Sequence, residues 1–154
     1  MKNSLLTLLF LIGLSIGTAY ASDTLETLLN AKTIRCTAKD GYTSEFNGKE
    51  IKSEKGVFSS KPEDRVLTIA KIDIKNGTAI VIGNAGTDDI IIRGGDVGLN
   101  LIDFTESGAL VSGTIFSNTN AQGEYFYTTS RHTQLPGIAL SLPSQYTGFC
   151  KILE

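Results

Sequence analysis

The chain has no tryptophan, a single histidine, two cysteines and no excess of positive charge. Each shortage removes a class of function. His132 alone rules out an all-histidine zinc site, and with Cys36 and Cys150 paired no usual zinc ligand set is left. Lys and Arg number 14 against 16 Asp and Glu, a formal charge of −2. Without a basic stripe to neutralise phosphates, nucleic acid is not an expected partner, and there is no polybasic patch for anionic lipid. The apolar run at residues 5–16 is too short to span a bilayer comfortably. No Gly-x-Ser-x-Gly elbow marks a serine hydrolase. No cofactor motif stands out, because Gly83-Asn84-Ala85-Gly86 lies between two strand patterns where a phosphate loop needs a strand and then a helix.

What is present suits one globular domain. The 154 residues are 41% apolar and 19% charged, and 16 glycines suit many tight turns. Residues 1–21 read as a cleaved secretory signal: Met1-Lys2-Asn3 is a short basic start, the apolar run follows, and Ala19-Tyr20-Ala21 places small residues where a signal peptidase reads. The mature domain is then residues 22–154, without a membrane span, and its compartment is the periplasm or the exterior of a bacterium. No cysteine follows the cut, which argues against a lipid anchor. In an exported protein two cysteines are most simply a disulfide. Cys36–Cys150 would close nearly the whole mature chain, with α-carbons roughly 4.4–6.8 Å apart.

Residues 22–33 carry capping residues Ser22, Asp23 and Thr24, then Leu25, Leu28 and Leu29 at helical spacing. A short helix covering one end of a sheet is expected. The rest reads as strands. The strongest signal is residues 66–82, two runs of branched residues broken at Asn76-Gly77. A three-residue loop, Lys75-Asn76-Gly77, would pair Ile72 with Ile80 and Ala70 with Ile82. That register gathers Ala70, Ile72, Ile74, Ile80 and Ile82 on one buried face, so it is the expected one. A first strand is expected at 33–39, and a turn at Asn47-Gly48 between short strands at 43–46 and 49–53. Residues 54–56 and 61–65 read as solvated loop. Further strands are expected at 89–93, 99–105, 109–116, 124–132 and 145–152. Turns at regular intervals with no helix between them give an all-β antiparallel meander. A disulfide between its first and last strands favours closure into a barrel of about eight strands, an architecture of the lipocalin or streptavidin kind, over a β-sandwich.

Few residues carry chemistry. Asp88-Asp89 and Asp96 lack the spacing of a calcium loop and read as turn residues. Asn76-Gly77-Thr78 fits a glycosylation acceptor but reads as a turn. A hydrolytic triad can be drawn from His132, Ser130 or Ser144, and Asp103, although Ser130 and His132 lie too far apart along one strand for a direct hydrogen bond. A structural role for His132 or Arg131, tying the last loop to the barrel end, is the simpler expectation. Tyr125 and Tyr127 should share one face and Phe126 the other. The candidate binding or structural cluster is Ser130, Arg131, His132, Gln145 and Tyr146; no catalytic residue and no metal ligand is assigned.

Phe104-Thr105, Gly108, Thr114-Ile115-Phe116, Ser130-Arg131-His132, Ser144-Gln145-Tyr146, Gly148 and Cys150 together resemble a group of small exported bacterial proteins of uncharacterised function. The resemblance covers about the last third of the chain, with a looser echo in Ile72-Asp73 and Ile82-Gly83-Asn84. Gly148-Phe149-Cys150 departs from the Gly-Thr-Cys ending of that group. The resemblance implies a bacterial exported domain and transfers no catalytic residue. The expected function is a monomeric, non-catalytic binding module for a small apolar ligand or an envelope protein. The rivals are an inhibitor of a wall-degrading enzyme and a hydrolase using His132. An enclosed apolar cavity would favour the carrier, a protruding loop with exposed Tyr or Arg the inhibitor, and a polar cleft holding His132 the enzyme.

Overall fold

A computed structural model describes residues 23–46, 48–56, 65–84, 86–135 and 140–154. The expected signal at 1–21, Asn47, Ala85, most of the loop at 54–65 and Pro136-Gly137 lie outside them. Residues 23–30 form a helix, α1. Alternating apolar and polar residues then build β1 (Ile34–Phe46), β2 (Ile51–Lys55), β3 (Val66–Asp73), β4 (Thr78–Gly83) and β5 (Gly86–Gly95). β6 (Gly98–Phe104), β7 (Leu110–Thr119), β8 (Tyr125–His132), β9 (Gln134–Leu135), β10 (Leu140–Ser141) and β11 (Ser144–Ile152) follow.

Strands β3 to β8 pair as a meander, with β1 beside β3 and β11 beside β8. β11 also pairs with β1, from Ile34 opposite Ile152 to Thr43 opposite Ser144. That seam closes an eight-stranded antiparallel barrel and sets the sandwich aside. Cys36 and Cys150 sit directly opposite each other in the seam and are bonded, across a sequence separation of 114. Their α-carbons are 3.9 Å apart, closer than expected and closer than the roughly 4.5–5.5 Å of facing residues in an antiparallel pair.

The barrel is apolar within. Ile34, Ile69, Ile92, Leu99 and Ile115 are fully buried in one core with the two cysteines. Arg35, Lys39, Asp89, Arg93 and Lys151 are exposed. This is the reverse of a transmembrane barrel, whose apolar band faces outward. No helix among the described residues is long and apolar enough to cross a membrane. The helix expected over one end of the sheet is there: Leu28 is buried in the barrel core, and the Tyr125 hydroxyl donates to the Thr24 carbonyl at 3.2 Å. Lys32 N–H donates to the Glu154 carbonyl (2.7 Å) and Leu153 N–H to that of Thr33 (2.8 Å), tying the start of β1 to the chain end.

The central hairpin departs from its expected register. Ala70 pairs with Ile80 and Thr68 with Ile82, and the ladder shifts before Asp73 meets Thr78. Lys71 has a positive φ of 53° and forms a bulge, so two residues of β3 oppose one of β4. The extra residue reverses the alternation within β3. Ile69 and Ile72 therefore both point inward, with Ala79 and Val81 across from them, while Ile82 is 41% exposed. The connection is also longer than expected: Gly77 N–H bonds the Asp73 carbonyl at 2.8 Å, and the Asp73 carboxylate accepts from Asn76.

The first strand is longer than its sequence signal, and Glu54-Lys55, expected as loop, ends β2. Tyr125 and Tyr127 share one face as expected, and it is the core face. Phe126 faces outward, stacked on Phe116 at 5.5 Å and edge-on to Phe149 at 6.2 Å.

Candidate functional site

A partly open cavity of about 50 Å³ occupies the lumen away from α1. It runs from Cys36, Ile115 and Tyr127 at mid-barrel to Leu67, Val111 and Asp103 toward the far end. Its smallness has a structural cause. Tyr127 lies across Gly148, where an added Cβ would sit 2.8 Å from its ring, and the Tyr146 ring covers Gly41 in the same way. Two aromatic rings thus fill positions that glycines leave empty.

Asp103 is the polar exception in this wall. The residue as a whole is half-buried, but its Oδ1 is shielded from solvent and has no hydrogen-bond partner among the described residues. Loss of hydration raises its pKa, the negative charge of Asp88 adds to this, and the Arg131 guanidinium opposes it. Asp103 faces Val111, and Val111 faces Arg131, so these three form one row across β6, β7 and β8, with Arg131 exposed near the end of β8. Thr129, also in the cavity wall, donates its hydroxyl proton to the Ser112 carbonyl at 3.2 Å. That leaves only its lone pairs to face the lumen.

The barrel wall divides the cluster expected at Ser130, Arg131, His132, Gln145 and Tyr146. All five lie on β8 and β11, but alternation places Ser130, His132 and Gln145 on one face and Arg131 and Tyr146 on the other. His132 is exposed, opposite Leu110 at the strand end. The triad drawn from His132, Ser130 and Asp103 is not assembled, because Asp103 faces the other side of the wall. Asp88 and Asp89 likewise alternate across β5. Among the described residues, no three or more His, Cys, Asp or Glu side chains come together to hold a metal.

On the outer face Ser112, Thr114, Thr128, Ser130 and Asn100 line a groove of about 280 Å³. Thr114 donates to Asn100 at 2.9 Å within it. Ser130, Gln145, Tyr42 and Lys55 are successive facing partners across β8, β11, β1 and β2, so this surface continues onto the β1–β2 hairpin. β1 leaves β3 after Thr37 and runs past the first residue of β11, with β2 on one side and β10 meeting it at Phe46. On one face of this arm, Tyr42 is 59% exposed, Phe46 43% and Ile51 73%. Phe46 and Ile51 are directly opposite each other, and the Ser44–Ser53 hydroxyl pair at 2.8 Å separates them from Tyr42. The Asp40–Lys55 ion pair, 2.9 Å, braces the base of the hairpin.

The hairpin itself was expected, from strands at 43–46 and 49–53; its continuity with the first strand and its exposed apolar face were not, because residues 40–65 carry little apolar alternation. Its trace was Tyr42-x-x-x-Phe46, two aromatics of one parity with no apolar neighbour to pack them. Asp103 was readable from the run Leu99-x-Leu101-x-Asp103, which gives the carboxylate the parity of the core. No protein-family model, curated protein or solved structure matches the chain. The fold and site therefore define its class by geometry alone: an eight-stranded antiparallel barrel, stoppered by a helix at one end and bearing a β-arm at the other.

Proposed function

We propose that this is an exported, monomeric, non-catalytic module of a bacterial envelope that docks another envelope protein through the β1–β2 arm. The observation that carries the reading is the exposure of Tyr42, Phe46 and Ile51 together on one face of that arm. Large apolar and aromatic side chains grouped in water mark contact surfaces, and tyrosine anchors are frequent among them. Lys55 shares that face, directly opposite Tyr42, and its charge at the edge of the patch suits the polar rim of an interface. Export is supported by the buried disulfide, by the leader-like residues 1–21 and by the resemblance to exported bacterial proteins.

A carrier role has less support. An apolar cavity of about 150 Å³ is needed to hold a molecule the size of benzene, and the lumen offers about 50 Å³. A hydrolase using His132 lacks its acid on the same side of the wall. The arm suits an inhibitor of a wall-degrading enzyme equally well, and an inhibition assay with such an enzyme separates that version from a general adaptor.

The test is crosslinking in intact periplasm with the wild type and with a Tyr42→Ser, Phe46→Ser, Ile51→Ser variant. The variant should keep its melting temperature, since the three side chains are exposed, and should lose the crosslinked partner. Recovery of the same partner at the same yield overturns the reading.

A further inference from the structure

The lumen holds a group that the arm does not use. Asp103 Oδ1 is buried beside the cavity with no donor to it among the described residues, and a shielded acceptor left unpaired is costly. The second polar atom in that wall, Thr129 Oγ1, already spends its proton on the Ser112 carbonyl. Around Asp103 and Thr129 the wall therefore presents acceptors; the hydroxyl donor of the lining is the Tyr127 phenol, which enters from mid-barrel. The charges that act on Asp103 are Asp88 from β5 and Arg131 from β8, so with Asp103 ionised the three sum to one negative charge. Apart from the Tyr127 phenol at mid-barrel, the other side chains that line the cavity are apolar.

We propose that the far end of the lumen is a binding site for a short primary alkylammonium ion. The ammonium group supplies donors and no acceptor, matching Asp103 Oδ1 and the free lone pairs of Thr129. Its single positive charge neutralises the excess negative charge of the Asp88, Asp103 and Arg131 group. Its alkyl part lies against Leu101, Val111 and Ile115. The volume sets the length: about 50 Å³ holds a methyl or ethyl group, whereas a benzene-sized body needs about three times as much. A carboxylate ligand is rejected, since it would bring acceptors to acceptors. A neutral alcohol of the same shape can donate once but leaves the charge uncompensated. The site is independent of the arm, and either can fail without the other.

The experiment is a methyl-detected NMR titration of the full mature protein with ethylammonium chloride, and in parallel with ethanol and with sodium acetate at matched ionic strength. Ethylammonium should shift the Leu101, Val111 and Ile115 methyl signals saturably. It should bind about tenfold or more tightly than ethanol, as the loss of a charge-assisted hydrogen bond implies. Acetate should produce no shift. Asp103→Asn, which keeps the shape, should weaken ethylammonium by a similar factor, with a melting temperature no lower than the wild type. Thr129→Val should weaken it less, because only one acceptor is lost. Equal binding of ethylammonium and ethanol, undiminished binding to Asp103→Asn, or a lumen that takes up water alone would each overturn the proposal.

Discussion

Breaking the Cys36–Cys150 bond should be the single most destabilising change available to the barrel that removes no packing atoms. The bond closes a loop with a sequence separation of 114. On the chain-entropy model a loop that long restricts the unfolded state by about 5 kcal/mol at 25 °C. For a domain of this size a change of that order lowers the melting temperature by roughly 15–25 °C. The folded state should keep its shape, because the seam between β1 and β11 is held by a ladder from Ile34 to Thr43 besides the sulfur bridge. The assay is urea unfolding of oxidised protein against protein refolded under reductant, followed by far-ultraviolet circular dichroism. The reduced form should show the same native spectrum and a much lower midpoint. Because both sulfurs are fully buried, reductant added to folded protein should act only as fast as the barrel opens. A stability loss under about 1 kcal/mol would mean that the unfolded chain gains little freedom when the bond is cut, and the entropic argument would fall.

Other consequences can be measured on the same material. Ile72→Ala should cost about 2–5 kcal/mol, while Ile80→Ala on the outer face should cost clearly less; equal losses in urea unfolding would contradict the bulge at Lys71. Burial pushes the Tyr127 hydroxyl up to about 12. A raised folded pKa means that its stabilisation is fully present below the ordinary value near 10 and is lost as pH rises from there to about 12. Tyr127→Phe should flatten that fall in a stability-versus-pH series, and an unchanged slope would assign the fall to other groups.

Parity explains both what the sequence shows and what it hides. A barrel interior is filled by every second residue, so Leu99, Leu101 and Asp103 on β6 can be placed on one inward face from sequence spacing, and Tyr125 and Tyr127 on β8 on one shared face. Closure is legible for a different reason: two cysteines near the chain ends can bond only if the end strands meet. The Lys71 bulge is not legible, because a left-handed backbone is usually marked by Gly or Asn and here occurs at lysine. One unmarked residue then reverses the assignment of Ala70, Ile80 and Ile82. The cluster at Ser130 to His132 failed on the same periodicity. Neighbours in sequence on a strand lie on opposite sides of a wall, so a compact motif there cannot be a compact site. The hairpin of the arm was legible from Asn47-Gly48, but its extent was not: β2 has no residue buried against the barrel, and a strand exposed on both faces lacks the alternation that marks a half-buried one.

The way the lumen is filled decides where binding can occur. An eight-stranded barrel is just wide enough for its own side chains, and here Cys36–Cys150, Tyr127 over Gly148 and Tyr146 over Gly41 take up most of that width. Filling stops at Gly113. This residue faces Leu101 on one side and Thr129 on the other, and an added Cβ would lie 2.6 Å from Leu101 Cδ1 and 3.1 Å from the Thr128 carbonyl oxygen. Leu101 therefore leans into the space a side chain at Gly113 would take, and the gap that remains is the one bordered by Asp103 and Thr129. The interior can accept only what fits that gap, a group of a few atoms with donors to offer. Anything larger must be met on the outside, and there the arm concentrates exposed Tyr42, Phe46 and Ile51 on one face at the end that α1 leaves uncovered.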